Sequence, residues 1–379
     1  MKRPPRSTHR ASPLPLRVPT CEAPPLNALL TPRRLLEREA GLLPQALRGP
    51  RCLVRPVWAY LGLPSALAYR RYLTRSPATQ ARATGLRALA AVILAHLRRA
   101  PLDVLALGVG DGAQEVRLVQ HLAEQHGAPL SLCLQDLSEP LLSCAYRRAT
   151  ESLPPSAQKE LWALLADLEE LTLHADLLFR PERQRLVLLL GDTLGELEDE
   201  LRFLRYGLAG CTAGDLLALE VPLAIAGSEA AITSRQGDAA NQFLDEAQEW
   251  LTAALAPHVL ARPSEWALRL DTQERIPGCY AWCVLATVNT DPGPRTIEVY
   301  RRRHYDPARL ATCLRALGWD PVAAPLVGDS GDSAVHLFRR CADADARGSV
   351  SSGARKARSS RQRAGEHGAA RAERLPKRR

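Results

Sequence analysis

Several residue types and patterns are scarce or missing in this 379-residue chain. It contains one methionine, 5% aromatic residues and only four lysines, so arginine supplies nearly all of its positive charge. The nine cysteines are scattered and form no CxxC pair, so neither a zinc site nor a redox centre is supported and we expect no metal. No Ser/His/Asp or Cys/His arrangement indicates nucleophilic catalysis. The sequence therefore favours chemistry without a metal or a protein nucleophile.

Signals for export and membrane insertion are also missing. No apolar run reaches the roughly 20 residues that cross a bilayer. The basic N-terminus, residues 1–20, lacks the apolar core of a secretory signal. Cysteines embedded in apolar runs suit a reducing compartment. We therefore expect a cytoplasmic protein with no membrane partner.

Charge is distributed unevenly along the chain. The formal net charge is +9, but residues 347–379 hold 11 basic and 2 acidic residues, and residues 1–20 add 5 basic residues and no acid. Residues 21–346 carry 34 basic and 39 acidic residues, a net charge of −5. We therefore expect disordered arms at 1–27 and 342–379, and we assign any nucleic-acid contact to the basic tail alone.

The apolar pattern predicts an α/β fold. Residues 28–100 form an expected helical segment, and residues 101–221 alternate strands with helices. This alternation favours a Rossmann-like, mostly parallel sheet with helices on both faces. Residues 222–341 hold a helix around 241–256 and then consecutive strands, which indicates antiparallel additions on the substrate side. The parallel strands are expected at LDVLALG, LSLCLQD, LTLHAD, RLVLLLG and DLLALEV, with a helix over 156–170.

The first expected strand runs into a glycine turn, LALGVGDGAQEV, that opens a helix. Gly108, Gly110 and Gly112 let the chain turn sharply and bring backbone amides to the positive end of the helix dipole. The pattern predicts a ligand that approaches the backbone closely. It also satisfies the relaxed dinucleotide fingerprint, with Ala113 at the third glycine position, so an NAD(P)-binding oxidoreductase stays an alternative.

Polar residues follow the other expected strands. Asp136 ends the second strand, where a carboxylate can accept hydrogen bonds from ribose hydroxyls. Asp176 follows the expected third strand, where an acid can bind an adenine amino group, and Gly191 and Asp192 follow the fourth. Because the carboxyl ends of parallel strands meet at one edge, these residues are expected to share a crevice.

Together these motifs resemble those of class I S-adenosylmethionine-dependent methyltransferases. More narrowly, they resemble the histidine-specific methyltransferase family, whose best-known member trimethylates the histidine amino group in ergothioneine biosynthesis. The similarity covers roughly Tyr72 to Cys341. Its segments are YLTRSPATQ, LALGVGDGAQEVRLVQHL, LCLQDLSEPLLSCA, LHADLL, LVLLLGDTLGELEDELRFLRYGLAGCTAGDLLALEV and TIEVYRRRHYDPARLATCLRALGW.

The resemblance implies S-adenosylmethionine as methyl donor and assigns roles by position. The first glycines would approach the methionine portion of the donor, the acid after the second strand would bind ribose, and the Asp-Leu pair in LHADLL would flank adenine. The residues expected to bind the donor are Gly108, Gly110, Gly112, Asp136, Asp176, Leu177 and Gly191.

Two substitutions depart from the family pattern. The family's Gly-Asn pair, which helps bind the substrate's amino and carboxylate groups, is Gly195-Glu196 here, and its Glu-x-Ser signature is Glu298-Val299-Tyr300. A carboxylate repels an amino acid's carboxylate and attracts a cation, and the tyrosine takes volume from an imidazole pocket. We therefore expect N-methylation of a small basic molecule, an amine or amino-acid derivative, rather than of histidine.

Methyl transfer to an amine needs alignment of the acceptor more than a nucleophilic side chain. Tyr72, Glu196 and Glu298 are the expected catalytic residues, which orient the acceptor or take its proton, with Asp192 as a further partner. Each has a structural alternative: Glu196 as an exposed acid at a helix start, Glu298 on a solvated strand face and Tyr72 in packing. The functional alternatives are a protein or RNA methyltransferase and a methyltransferase-like interaction module without activity.

Overall fold

The structure is a computed structural model that describes residues 28–30, 56–180, 182–259, 261–290, 293–328 and 331–342. The arms predicted to be disordered, 1–27 and 342–379, lie outside these residues except for residue 342. Within the described ranges, no helix is both long enough and apolar enough to cross a membrane.

The described residues form twelve strands in two sheets, numbered here in chain order. The strands are β1 (Ala28–Leu30), β2 (Leu102–Leu107), β3 (Leu130–Asp136), β4 (Leu161–Leu165), β5 (Gln184–Leu189), β6 (Leu216–Pro222), β7 (Glu265–Asp271), β8 (Tyr280–Thr290), β9 (Gly293–His304), β10 (Trp319–Pro321), β11 (Leu326–Val327) and β12 (Ser333–Arg340).

Six longer helices accompany these strands in the described part of the chain, with shorter helical turns between them. They are α1 (Leu63–Arg75), α2 (Pro77–His96), α3 (Ala113–His126), α4 (Glu139–Ser152), α5 (Glu229–Leu255) and α6 (Pro307–Ala316).

The larger sheet has the strand order β1-β4-β3-β2-β5-β6-β12-β10, and β11 pairs with β12. Strands β1 to β6 run parallel, whereas β12 pairs antiparallel with both β6 and β10. Every residue of β2 and β3 is buried, as expected for parallel strands covered on both faces. The Rossmann-like, mostly parallel sheet predicted from the sequence is therefore confirmed.

The prediction for the third parallel strand is wrong. The strand is β4, whose sequence LWALL lies inside the stretch 156–170 predicted as a helix. The segment LTLHAD instead forms the end of a 3₁₀ helix, Leu168–His174, and the beginning of a helical turn, Ala175–Leu178. A short, fully buried strand shows no alternation of apolar and polar residues, so its pattern cannot be distinguished from that of a buried helix.

Two further boundaries differ from the sequence-based prediction. The segment 28–100, predicted to be helical, includes the edge strand β1, which pairs in parallel with β4. The helix predicted around 241–256 begins much earlier as α5, where the side chain of Ser228 accepts a hydrogen bond from the backbone N–H of Ala231.

The smaller sheet has the order β7-β8-β9 and is antiparallel throughout, as predicted for the substrate-side additions. Its core residues, among them Val284 and Ile297, pack with residues of α5 such as Ala247 and with Trp58 near the start of the described chain. This sheet, α1 and α5 form a layer, hereafter the acceptor layer, beside the larger sheet. Segments from both halves of the chain therefore build one wall.

The glycine turn requires the left-handed conformation. Gly108, Gly110 and Gly112 have φ angles of 63°, 53° and 71°. A Cβ atom at Gly112 would lie 2.7 Å from the Cβ and 2.9 Å from the Cα of Ala145 in α4. Gly112 therefore allows α3 and α4 to pack closely, in addition to forming the turn.

Substitution of Gly112 tests this packing role against a matched control at Gly127, which ends α3. Gly127 has φ 70°, but a Cβ there meets nothing within 4 Å. We expect Gly127→Ala to lower the free energy of unfolding by about 1 kcal/mol through backbone strain alone. Gly112→Ala should lower it by about 3 kcal/mol because a steric clash is added. Urea denaturation measures both, and equal losses would contradict the packing role.

Candidate functional site

A cavity of about 450 Å³ lies at the carboxyl ends of the central parallel strands, between the larger sheet and the acceptor layer. The glycine turn after β2, the ends of β3 and β4, and the loop after β5 border one side of it. Tyrosine, tryptophan and phenylalanine side chains from α1, α5 and β9 border the other. The strand ends that the sequence predicted to share a crevice therefore do so, with a corrected position for the third.

Side chains at the end of β3 hold the glycine turn in place. The backbone N–H of Gly108 donates to Gln135 Oε1 at 3.0 Å, and that of Gly110 donates to Asp136 Oδ2 at 2.7 Å. The side-chain amide of Gln135 also donates to the carbonyl of Ala166 after β4. Gln135 thus ties three neighbouring strand ends together, a role that the sequence analysis missed.

Asp136 lines the cavity as predicted. Its Oδ1 accepts a hydrogen bond from the backbone N–H of Ser138 at 2.8 Å, so both oxygens are oriented by main-chain amides. Burial raises the pKa of Asp136 to about 6, although the amides of Ser138 and Gly110 act in the opposite direction. Each carboxylate oxygen has a second lone pair, so the group can still accept hydrogen bonds from ligand hydroxyls.

Asp176 and Leu177 do not reach the cavity, which corrects their predicted place beside an adenine. Both are exposed, in the helical turn beyond the 3₁₀ helix. Asp167, Leu168 and Glu169 occupy the position after the third strand and line the cavity instead. The error follows directly from the misplaced third strand.

The loop after β5 approaches the glycine turn closely. The backbone N–H of Gly191, which has φ 72°, donates to Glu220 Oε2 at 2.9 Å. A Cβ atom at Gly108 would lie 2.5 Å from Cγ2 of Thr193. Gly191 and Asp192 line the cavity, so this loop forms its floor.

Glu196 is half-buried in the cavity wall, which argues against its alternative interpretation as an exposed acid. Its Oε1 accepts hydrogen bonds from the hydroxyls of Tyr60, at 2.7 Å, and Tyr300, at 2.6 Å. Burial raises the pKa of Glu196 to about 7, with smaller contributions from Asp192 and Asp136 in the same direction, whereas the two tyrosine hydroxyls lower it. Near neutral pH this carboxylate can therefore either take up or release a proton.

The carbonyls on either side of Glu196 are held by one buried arginine. Nη1 of Arg303 donates to the carbonyl of Gly195 at 2.6 Å and to that of Leu197 at 2.7 Å. Nε of Arg303 donates in turn to Glu274 at 2.9 Å. These bonds fix the short turn that carries Glu196.

Six aromatic side chains line the cavity around Glu196 and are called the aromatic box: Tyr60, Tyr69, Tyr72, Phe243, Trp250 and Tyr300. The ring of Trp250 lies 4.8 to 5.8 Å from the rings of all four tyrosines. The predicted site residue Tyr72 therefore does line the cavity, stacked on Tyr69 and Trp250.

The sequence analysis missed four members of the aromatic box. Tyr69 and Tyr72 are three residues apart on α1, and Phe243 and Trp250 are seven residues apart on α5, so each pair lies on one helical face. That spacing is the signal that could have found them. Nothing local marks Tyr60, which ends the 3₁₀ turn Pro56–Tyr60.

Two other predicted site residues lie outside the cavity lining. Glu298 is buried in ion pairs with Arg269, at 2.7 Å, and Arg301, at 2.8 Å. A β-bulge between β8 and β9 places Tyr300 and Glu298 opposite adjacent residues of β8, which breaks the usual alternation and separates the two side chains. The prediction that Glu298 contacts the acceptor is therefore wrong. The second residue is Gly112, predicted to bind the donor, which instead allows α3 and α4 to pack closely.

Glu115, in the first turn of α3, is a cavity-lining carboxylate that the sequence analysis did not single out. It is 5% exposed, and no ion pair among the described residues involves it. Burial, with smaller contributions from the negative charges of Asp111, Glu220 and Asp136, raises its pKa to about 8. A cationic ligand group beside it would restore its charged form.

Comparisons with protein-family models and with curated proteins found no match. Among solved structures, the chain is similar to the CcbJ methyltransferase from Streptomyces caelestis, with 16% identity, a TM-score of 0.36 and coverage of 68% of this chain and 90% of that one. It is similar to the sugar N-methyltransferase KedS8 from Streptoalloteichus, with 16% identity, a TM-score of 0.37 and coverage of 73% and 92%.

A third similar structure is magnesium protoporphyrin IX methyltransferase from Synechocystis with bound SAH, at 14% identity, a TM-score of 0.40 and coverage of 72% and 93%. Similarities at TM-scores below 0.5 assign neither a substrate nor a mechanism. The geometry of the site must therefore indicate the function.

The raised pKa values of three cavity-lining carboxyls indicate how the stability of the unliganded protein depends on pH. In the unfolded chain carboxyls titrate near pH 4, so the raised pKa values of Glu115, Glu196 and Asp136 mean that the folded state binds protons more tightly. We expect stability to fall as pH rises from about 4.5 to 8. Glu115→Gln should make that fall shallower and gain on the order of 2 kcal/mol at pH 8.5, because the amide stays neutral.

Denaturation at several pH values measures this effect. The matched control is Glu124→Gln, on the exposed face of the same helix, which should leave the slope unchanged. If the free energy of unfolding of Glu115→Gln changed with pH in parallel with that of the wild type, burial would not be raising the pKa of Glu115.

Proposed function

We propose that this protein is an S-adenosylmethionine-dependent methyltransferase that methylates the nitrogen of a small basic acceptor. One observation carries the proposal: a single cavity joins the glycine turn and Asp136 to the half-buried carboxylate of Glu196. The glycine turn and Asp136 suit a nucleoside with a charged amino-acid end, and the carboxylate of Glu196 suits an amine. Donor and acceptor would therefore meet inside one enclosure.

The sheet supports this proposal over a dinucleotide-dependent oxidoreductase. The dinucleotide-binding fold has six parallel strands in the order 3-2-1-4-5-6. Here β4, β3, β2, β5 and β6 occupy the first five of these positions, and β1 is an extra edge strand beside β4. The sixth position holds β12, which is antiparallel and lies between β6 and β10. An antiparallel strand at this position departs from the dinucleotide-binding arrangement.

The residues present fit the proposed donor. The left-handed glycines at 108 and 110 leave backbone close to the cavity without side chains in the way. Asp136 can accept hydrogen bonds from ribose hydroxyls, and Asp167 is placed to receive the adenine amino group. Glu115, buried and without an ion-pair partner among the described residues, can bind the donor's ammonium group. When bound, the donor supplies a methyl group already activated by its sulfonium.

The acceptor needs a free lone pair on its nitrogen. Glu196, with a pKa of about 7, can take the proton of the ammonium form, and Tyr60 and Tyr300 hold the carboxylate still while it does so. Glu196 and the aromatic box would hold the free nitrogen in the cavity. A donor bound at the glycine turn and Asp136 would supply the methyl group to it and would keep the electron pair of the broken carbon–sulfur bond. The aromatic box excludes water from this step.

A methyl-transfer screen tests the proposed function. The purified full-length protein and donor labelled in the methyl group are incubated with amines and amino-acid derivatives, and in parallel with protein and RNA. We expect label in one or more small amines. Label confined to protein or RNA would show that the small-molecule assignment is wrong, and absence of donor binding would leave a non-catalytic interaction module as the better explanation.

The donor site is tested by calorimetric titration of S-adenosylmethionine with two aspartate variants. Asp136→Asn should weaken binding about tenfold, because a charged acceptor of hydrogen bonds is lost. Asp176→Asn, which changes an exposed residue outside the cavity, should bind like the wild type. If Asp176→Asn weakened binding and Asp136→Asn did not, Asp176 rather than Asp136 would belong to the donor site.

A further inference from the structure

The aromatic box gives the cavity a feature that the proposed function alone does not require. Although aromatic residues make up only 5% of the chain, four of its eight tyrosines line this cavity. Their rings and those of Phe243 and Trp250 form a continuous set with centroids 4.8 to 6.3 Å apart. Aromatic faces carry partial negative charge and attract cations, alkylammonium groups above all.

Two of these rings are made more attractive to a cation by their hydroxyls. Tyr60 and Tyr300 both donate to the same oxygen of Glu196. A phenol that donates to a carboxylate gains electron density in its ring, which strengthens the attraction of the ring face for a cation. Both donors engage Oε1, so Oε2 of Glu196 can accept a hydrogen bond from an ammonium group.

Few of the described residues that line the cavity are cationic. Seven carboxylate residues and only two arginines line the cavity. Arg117 and Arg148 belong to α3 and α4, beside the glycine turn, and Arg148 is paired with Asp111 at 2.9 Å. Arg302 stacks on Phe243 at 5.2 Å and donates to Asp192, and it is not among the cavity-lining residues.

We propose that the acceptor is an amine with no carboxylate beside its nitrogen, bound as a cation between the rings of the aromatic box and Glu196. This inference rests on the proposed methyl transfer and names its substrate class. An α-amino acid would bring its carboxylate next to Glu196, in a cavity whose lining carboxylates outnumber its arginines seven to two. Two carboxylates that lie next to each other in a site shielded from water repel strongly.

The test uses two probes that share a trimethylammonium group. Choline carries a hydroxyl where glycine betaine carries a carboxylate, so their difference isolates the effect of the carboxylate. The full-length protein is titrated with each, with and without S-adenosylhomocysteine, and calorimetry reports binding. We expect choline to bind at least about tenfold more tightly than betaine. Equal binding, or tighter binding of betaine, would overturn the proposal.

Variants separate the aromatic and electrostatic contributions. Glu196→Gln should weaken choline binding about tenfold. Tyr72→Leu should weaken it several-fold, whereas Tyr72→Phe keeps the ring and should bind within about twofold of the wild type. Glu249→Gln, at an exposed ion pair on α5 one residue before Trp250, is the matched control and should change nothing. Unchanged affinity of the Tyr72→Leu variant for S-adenosylhomocysteine would show that it is folded.

The outcomes distinguish this inference from the proposed function. If S-adenosylhomocysteine binds but neither probe does, the cation site is wrong and methyl transfer to another acceptor class stands. If the cofactor does not bind but choline does, the proposed methyl transfer fails and the cation site stands. If choline affinity is the same in Tyr72→Leu and Tyr72→Phe, the rings do not bind the cation.

Discussion

One carboxylate oxygen, Oε1 of Glu196, links parts of the chain that are far apart in sequence. It accepts hydrogen bonds from Tyr60, in the turn before α1, and from Tyr300, on β9. A buried carboxylate without such donors would be costly to keep charged. Glu196 therefore makes the position of the acceptor layer depend on the loop after β5, and the shape of the cavity depends on both.

A second set of bonds connects this carboxylate to the donor side. Ser138 presents its backbone N–H to Asp136, and its hydroxyl donates to the carbonyl of Tyr60 at 2.6 Å. The hydroxyl of Tyr60 then reaches Glu196. Asp136 also holds Gly110 of the glycine turn. The two carboxylates are thus linked by three hydrogen bonds that run through Ser138 and Tyr60. The expected donor side and the expected acceptor side of the cavity are therefore connected.

The sequence predicted the features that rest on local pattern. The sequence shows β2, β3, β5 and β6 as apolar runs. It also shows the glycine turn that follows β2 and the aspartate, Asp136, that ends β3. The third strand was not visible in this way, because its five apolar residues show no alternation with polar ones. Asp176 and Leu177 were misplaced together with that strand. Glu298 was lost to a β-bulge, a backbone irregularity with no clear sequence signal. The spacing within each helix could have indicated the two pairs of the aromatic box on α1 and α5, but only tertiary packing brings these pairs together with Tyr60 and Tyr300.

The division between the larger sheet and the acceptor layer bears on how such a protein can change over evolutionary time. Apart from Glu196, the residues that surround the expected acceptor come from α1, α5, β9 and the turn before α1, none of which supplies a strand to the larger sheet. Substitutions in that layer can reshape the acceptor pocket while the glycine turn and strand ends keep their geometry. Acceptor preference can therefore drift between lineages without loss of the donor, and kinship in this fold is a poor guide to substrate.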